Sequence, residues 1–265
     1  MPELPEVENI VRQLKKLLIK QKLDYKKVSQ SQYVYTLPED HLMDITVTSV
    51  SRRGKYIILQ SNNEYAIIIH LGMTGQILHQ QNNAYNYHPH DIFVWEYKQN
   101  LIIFRDMRRF GFVHYVNNLN DYFQKLGPEP KDIVLENLYQ QIKKSTRPIK
   151  TLLLDQSLIA GIGNIYACES LYSAGISPLS QPKLWDISKL STLVLHIQQV
   201  LNKATQAGGT TISDYQHIDG QKGNYSQELL VYNQKIGRKC GHKIVKVMIN
   251  ARGTYFCPIC QSTDN

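Results

Sequence analysis

Ile45-Thr46-Val47-Thr48-Ser49-Val50-Ser51-Arg52-Arg53-Gly54-Lys55-Tyr56-Ile57-Ile58-Leu59 is a pair of β-rich runs that meet at Arg53-Gly54. β-Branched residues crowd both runs and a glycine punctuates them, which is the pattern of two strands joined by a tight turn. The succession of short runs continues at 65–70, 92–97, 101–104 and 112–116, with Gln99-Asn100 as a further turn. No long helical period intervenes over 44–116, so an antiparallel sandwich or barrel is expected there.

The flanks read differently. Leu4, Val7, Ile10, Val11, Leu14, Leu17 and Leu18 recur at helical spacing and predict an amphipathic helix over about 5–20. Leu126-Gly127-Pro128-Glu129-Pro130 reads as a hinge. Beyond it the helical period returns at 135–144, 150–158, 164–173 and 187–207, and the block from 228 onward is short, β-like and cysteine-bearing. The fold class is therefore α+β, and neither an internal repeat nor a low-complexity segment interrupts it.

Hydrophobic residues make up 42% of the 265-residue chain and charged residues 20%, the composition of a folded chain and not of a disordered one. Thirty Lys and Arg against 22 Asp and Glu leave a net charge of +8, which favours an anionic partner such as nucleic acid or an acidic membrane surface. No stretch is long and apolar enough to span a bilayer, and the N-terminus carries acids where a signal peptide carries bases. A cytoplasmic location follows as the expectation, and with it cysteines that are thiols or metal ligands and not disulfides.

Cys240, Cys257 and Cys260 lie in the C-terminal block as Cys-x16-Cys-x2-Cys, while Cys168 stands apart. A structural zinc site needs four ligands, commonly two per knuckle. Here the second knuckle is complete and the first has one cysteine, with Gly237 three residues before Cys240. His242 offers a fourth ligand at a tighter spacing than usual, and a metal-free hairpin held by packing is the other reading. Between the knuckles, 250–254 reads as a hairpin turn whose Arg252 offers a bidentate fork to phosphate.

Gly161-Ile162-Gly163-Asn164 precedes an apolar helix, so it serves either as a phosphate seat at a helix N-terminus or as a tight interhelical turn. His70-Leu71-Gly72-Met73-Thr74-Gly75 and Asp106-Met107-Arg108-Arg109-Phe110-Gly111 fall at strand ends. Met73, Arg108 and Phe110 could leave the core there as wedges that unstack bases, or stay in it. The chain opens Met1-Pro2-Glu3-Leu4-Pro5-Glu6-Val7-Glu8. Pro5 and the glutamates suit an ordinary helix start. Without Met1, however, Pro2 would carry a free secondary amine able to form an iminium ion, and Glu3 stands next to it to move protons.

Taken in order, the opening Pro2 to Glu8, Arg52-Arg53-Gly54-Lys55, 70–75, 108–111, 126–130, 149–156, 161–167, Gly208-Gly209-Thr210-Thr211 and the cysteine hairpin resemble the formamidopyrimidine-DNA glycosylases over essentially the whole chain. The resemblance implies an N-terminal catalytic β-sandwich domain with its helix at 1–125 and a hinge with a first helix at 126–148. It further implies a helix–two-turns–helix DNA-binding domain with a lesion-capping loop at 149–227 and a zinc-finger-like β-hairpin at 228–265. The implied activity is base-excision repair by a bifunctional glycosylase and abasic-site lyase, acting as a monomer. Its substrate is double-stranded DNA that contains 8-oxoguanine, formamidopyrimidines or abasic sites.

The residue roles are implied in the same way. Pro2, freed of Met1, would attack C1′ and displace the base, and β- and δ-elimination would follow from the Schiff base. Glu3 matches the general acid/base, Lys55 a lysine that meets a phosphate and assists catalysis, and Glu6 the lesion pocket. Met73, Arg108 and Phe110 match the triad that fills the vacated stack, with Arg108 facing the orphaned cytosine. His70, Asn164 and Arg252 match phosphate contacts, and Lys150 a lysine linked to oxidised-purine recognition. The 215–225 loop would close over the extruded base. The family's first zinc cysteine is missing at Gly237, which leaves zinc and its ligand set open while the finger stays. Two other functions compete: an endonuclease VIII-like glycosylase for oxidised pyrimidines, and a non-catalytic binder of damaged DNA.

Overall fold

The computed structural model describes residues 1–28, 34–35, 45–211 and 217–261. Two units emerge, residues 1–124 with 207–224, and residues 125–206 with 225–265. The first boundary falls one residue from the expected 125/126. Residues 207–224 group with the N-terminal unit.

In the first unit, helix α1 spans Leu4–Leu18 and begins with Pro5 in its first turn. Leu4, Val7, Ile10, Val11, Leu14 and Leu18 are all buried along one face. At about 1.5–3 kcal/mol for each large apolar side chain fully buried, packing outweighs any capping or ion-pair contribution to this helix. Lys20 in the left-handed region (φ 63°) reverses the chain into strand β1, Lys22–Val28.

The remaining strands are β2 (Val34–Tyr35), β3 (Ile45–Arg53), β4 (Tyr56–Ser61), β5 (Ala66–His70), β6 (Gly75–Gln81), β7 (Asp91–Tyr97), β8 (Asn100–Asp106) and β9 (Phe112–Val116). Their order is β2-β9-β5-β4-β3-β1-β7-β8-β6. All neighbours are antiparallel except β2 and β9. Strand β1 is the seam: Lys22 and Leu23 pair with β3, whereas Asp24 onward pairs with β7 across a bulge. Ile57, Leu59, Ile67 and Ile69 on one side of that seam share a single core with Ile77, Phe93, Trp95 and Phe104 on the other, and α1 packs into it. The expected sandwich is thus formed, with β1, β2 and β6 added to the strands read from the sequence.

Short helix α2 (Leu119–Phe123) closes the first unit, and the second unit is helical. Its helices are α3 (Leu135–Ile142), α4 (Ile149–Leu153), α5 (Asn164–Ser173) and α6 (Ile187–Gln206). Helix α4 stops five residues short of the expected 158. Asp155 accepts the Ser157 N–H and hydroxyl, and Gln156 holds Gly161 N–H and the Ile162 carbonyl, so local side chains divert the backbone from helix into turns. The hairpin of β10 (Val245–Ile249) and β11 (Arg252–Phe256) pairs Ile249 with Arg252. Asn250 (φ 48°) and Ala251 (φ 58°) make the turn, so Arg252 opens a strand and does not lie at the tip. No helix among the described residues is long and apolar enough to cross a membrane.

Candidate functional site

Pro2 and Glu3 sit at the head of α1, both buried. Their backbone is fixed by Glu6, one turn along and also buried. One Glu6 carboxylate oxygen accepts the Glu3 N–H at 2.9 Å, and the other accepts the Thr210 N–H at 2.7 Å. A Cβ on Gly209 would come within 2.8 Å of that second oxygen, so the Gly208-Gly209-Thr210-Thr211 motif exists here to let backbone reach the carboxylate. Glu6 therefore ties the N-terminus to 208–211 through both its oxygens.

Glu8 does the same for Lys55. Its carboxylate takes Arg12 Nε at 3.0 Å and Arg52 Nε at 2.9 Å, and Arg52 Nη1 donates onward to the Gly54 carbonyl at 2.9 Å. Burial pushes the Glu8 carboxyl up, but the two guanidinium groups outweigh it and hold the group below its ordinary value. Gly54 (φ 56°) and Lys55 form the two-residue turn between β3 and β4, so this relay fixes the turn that carries the buried Lys55.

His70 ends β5, stacked on Phe112 at 5.2 Å and tilted against Tyr56 at 4.9 Å. Burial, with the nearby Lys55 charge and His114, pushes its imidazole down to about 4, so it is neutral at physiological pH. Gly72 N–H donates to its Nδ1 at 3.3 Å, which leaves the proton on Nε2. His70 thus offers a neutral N–H donor.

Met73 (42% exposed) and Phe110 (54%) stand out from the surface on two adjacent loops, and the exposed Arg108 guanidinium lies 4.8 Å above the Phe110 ring. Of the expected 215–225 loop, residues 215 and 216 lie outside the described residues. The part that is described is anchored: His217 Nε2 meets the Gly208 carbonyl at 2.8 Å, Gln13 Oε1 accepts the Ile218 N–H at 3.2 Å, and Ile218 is buried in the main core.

In the second unit Lys150 is fully buried, and its Nζ donates to Asn164 Oδ1 at 2.6 Å and to Thr254 Oγ1 at 2.5 Å. Asn164 Nδ2 in turn donates to the Gly253 carbonyl at 2.9 Å, and Thr254 Oγ1 donates to the Arg252 carbonyl at 3.1 Å. The first residue of α5 and the exposed Arg252 are therefore fixed to one another around a single ammonium group. Glu169, also on α5 and fully buried, accepts the N–H groups of Leu230, Val231 and Tyr232 at 2.7–3.0 Å, which pins the approach to the finger.

Cys240, His242, Cys257 and Cys260 converge, with all ligand atoms within 4.8 Å of one another. Cys240 Sγ and Cys257 Sγ are 3.8 Å apart, and His242 Nδ1 is 3.4 Å from Cys260 Sγ. A tetrahedral zinc with Zn–S near 2.3 Å sets sulfurs roughly 3.8 Å apart. The donor set and its spacing fit zinc, with His242 placed where a fourth ligand would stand. Tyr172 on α5 donates to Cys240 Sγ at 3.0 Å and holds that thiol well below its ordinary value. Gly237 is not a vacant ligand position. A Cβ there would lie 2.6 Å from the Tyr172 hydroxyl and 2.7 Å from Cys240 Sγ.

Sequence reading missed the supporting residues: Thr74 and Asp106 beneath the wedge loops, Thr254 beside Lys150, and Tyr172 behind the metal ligands. Asp106 carries a readable signal, an acid that begins a glycine-ended turn, whereas Tyr172 and Thr254 look like ordinary core positions.

Three family descriptions match the chain: the formamidopyrimidine-DNA glycosylase N-terminal domain over residues 1–113, the formamidopyrimidine-DNA glycosylase H2TH domain over 126–216, and the zinc finger found in FPG and IleRS over 238–263. A formamidopyrimidine-DNA glycosylase of Zymomonas mobilis is 39% identical over 98% of this chain and 100% of its own. A point mutant of Lactococcus lactis Fpg in complex with Fapy-dG-containing DNA superposes with a TM-score of 0.92 at 34% identity, covering 98% of this chain and 100% of that one. Lactococcus lactis Fpg bound to abasic-site DNA gives 0.91 at 34%, covering 98% and 99%.

Proposed function

Since the chain belongs to the formamidopyrimidine-DNA glycosylase family, it is a base-excision-repair glycosylase for oxidised purines, and we propose that Pro2, Glu3 and Lys55 carry its chemistry. Once Met1 is removed, Pro2 has a free secondary amine, and an α-amine with a pKa of roughly 7.7–8.0 is partly unprotonated at neutral pH. Its lone pair attacks C1′ of the damaged nucleotide and the C1′–N bond breaks, with the departing base taking a proton. Pro2 then gives up its N–H proton and the C1′–O4′ bond breaks, with O4′ taking a proton as the sugar ring opens. The resulting iminium between Pro2 and C1′ acidifies the C2′ hydrogen, and loss of that proton expels the 3′ phosphate. A second elimination expels the 5′ phosphate. Glu3 gives and takes these protons. Lys55 meets a backbone phosphate beside the reacting sugar.

His70, Asn164 and Arg252 grip phosphates, which position the duplex without reading its sequence. Extruding a base costs a few kcal/mol, and Met73, Arg108 and Phe110 offset that cost by filling the vacated stack, with Arg108 towards the estranged cytosine. Glu6 and the 215–225 loop border the extruded base. Lys150 contributes to purine recognition by aligning Asn164 and Arg252. Cys240, His242, Cys257 and Cys260 would hold a structural zinc, whose shell four protein ligands would close, and it would shape the hairpin that presents Arg252. The protein works as a monomer in the bacterial cytoplasm, at the nucleoid when on DNA.

The observation that carries this reading is the buried Pro2-Glu3 pair, fixed by Glu6 at the head of α1. Excision of 8-oxoguanine opposite cytosine should exceed excision of thymine glycol, and borohydride should trap the processed protein on abasic DNA. A preference for the pyrimidine would move the chain to the endonuclease VIII-like branch, and absence of a trapped adduct would make it a non-catalytic binder.

A further inference from the structure

The two loops that bear Met73, Arg108 and Phe110 are the places where the chain passes between the two halves of the sandwich. One leads from β5 to β6 and the other from β8 to β9, while β5 pairs with β9 and β6 pairs with β8. They run side by side, backbone on backbone. A Cβ on Gly72 (φ 59°) would meet Gly111 N and Phe110 C at 2.5 Å, and one on Gly111 would meet the His70 carbonyl at 2.7 Å.

At their base lies Asp106, fully buried. Its Oδ1 accepts the Thr74 hydroxyl at 2.5 Å and the Arg108 N–H at 3.2 Å, and its Oδ2 accepts the Gly111 N–H at 2.7 Å. Thr74 Oγ1 also accepts the Arg108 N–H, at 3.0 Å. The backbone N–H of Asp106 donates to the His90 carbonyl at 3.0 Å. One carboxylate thus closes the Arg108–Phe110 loop on itself and joins it to the Met73 loop.

We propose that Asp106, with Thr74, is a positioning residue that locks the two loops into one preset wedge, so that Met73, Arg108 and Phe110 enter the duplex together. The inference rests on the reading of those three side chains as stack-filling groups. A rigid wedge loses little conformational freedom on insertion, so more of its contact energy goes into opening the base pair. A buried carboxyl group suits this task because its two oxygens accept from both loops at once, and leaving any of the three donors without a partner is costly.

The test compares Asp106→Asn, Thr74→Val and Thr74→Ser with the wild type. The asparagine amide cannot accept on both sides, so one loop loses its tie. Valine keeps the shape of Thr74 without its hydroxyl, and serine restores the hydroxyl. Single-turnover excision of 8-oxoguanine from a duplex should fall about 10- to 100-fold in Asp106→Asn and several-fold in Thr74→Val, in the rate constant more than in half-saturating DNA, with Thr74→Ser near wild type. A fluorescent cytosine analogue opposite the lesion should report slower wedge insertion in the same order. Borohydride trapping on a single-stranded abasic oligonucleotide, which needs no base-pair opening, should change by less than twofold. Equal losses in duplex excision and single-strand trapping would overturn the proposal in favour of a merely structural role, as would Thr74→Val behaving like wild type. Wild-type protein that excises no 8-oxoguanine and traps no abasic DNA would defeat the functional reading instead.

Discussion

The two units hold the side chains proposed to face DNA by different means. In the sandwich, carboxylates do it: the buried Glu6 takes the Glu3 and Thr210 N–H groups, the half-buried Glu8 works through Arg52, and the buried Asp106 ties the Met73 and Arg108–Phe110 loops. In the helical unit and its finger the groups beside the proposed phosphate contacts are a lysine and a candidate metal site: Lys150 joins Asn164 to Thr254, and Cys240, His242, Cys257 and Cys260 converge beside Tyr172, while the buried carboxylate of Glu169 pins the approach to the finger. The contrast follows from what each must present. Covalent chemistry and base extrusion need backbone N–H groups and loop termini fixed closely, and carboxylates accept from several N–H donors at once. A phosphate grip needs positive charge displayed at the surface, and an internal cation or metal organises the carbonyls and hydroxyls behind it.

The sharpest way to separate the two regions is to remove the nucleophile. Pro2→Gly, or protein that keeps Met1, should lose strand cleavage by on the order of 10³-fold or more, while affinity for a non-cleavable abasic-site duplex stays within a few-fold. Gel-shift binding beside single-turnover cleavage measures both. A parallel loss of binding would show that Pro2 also contributes to the grip, and the separation of chemistry from binding would fail.

Metal removal runs the opposite way. His242→Ala, or chelation of the wild type, should release zinc, lower the melting temperature and weaken duplex binding about tenfold. Borohydride trapping on a single-stranded abasic oligonucleotide should persist, because Pro2, Glu3 and Lys55 belong to the other unit. Metal content by mass spectrometry together with a melting curve checks the first part. Full zinc occupancy in His242→Ala would remove histidine from the ligand set.

How much of this was legible beforehand depends on whether a residue's role is local. The β3–β4 hairpin, α1, α5 and β9 follow from period and turn chemistry that a short window contains. Strands β1 and β6 were not read. Lys22-Leu23-Asp24-Tyr25-Lys26-Lys27-Val28 and Gly75-Gln76-Ile77-Leu78-His79-Gln80-Gln81 are mostly polar, and only pairing across the sheet makes them strands. Pro2, Glu3, Met73, Arg108 and Arg252 stand in motifs that name themselves. His242 is legible only as one option for a fourth ligand, because a Cys-x-His step looks tight until Gly241 (φ 71°) turns the chain and lets His242 Nδ1 face Cys257 and Cys260. Asp106 and Thr254 show why the rest was hidden: Asp106 meets Thr74, 32 residues away in the chain, and Thr254 meets Lys150, 104 residues away.

The finest distinction concerns two of the proposed phosphate contacts, one in each unit. Arg252 is a permanent charge at the start of β11, whereas His70 is a neutral donor. A cation on phosphate releases counterions, so Arg252→Ala should weaken binding to all sequences alike and flatten the plot of log K against log salt by about 0.9. His70→Gln keeps a neutral donor, so it should weaken binding by less and leave that slope unchanged. The pH dependence carries the same sign. The folded His70 pKa of about 4 lies below the ordinary 6.5, so the unfolded chain binds the extra proton between those values. The contribution of the neutral ring to stability is therefore complete above pH 6.5 and is lost progressively as pH falls towards 4. In the free protein an NMR titration of His70 should show no protonation above about pH 6, and duplex affinity should not rise on going from about pH 8 to about pH 6.5 on its account. A His70 midpoint near 6.5, or a salt slope that changes in His70→Gln as much as in Arg252→Ala, would make both contacts cationic and erase the difference between the units at this level.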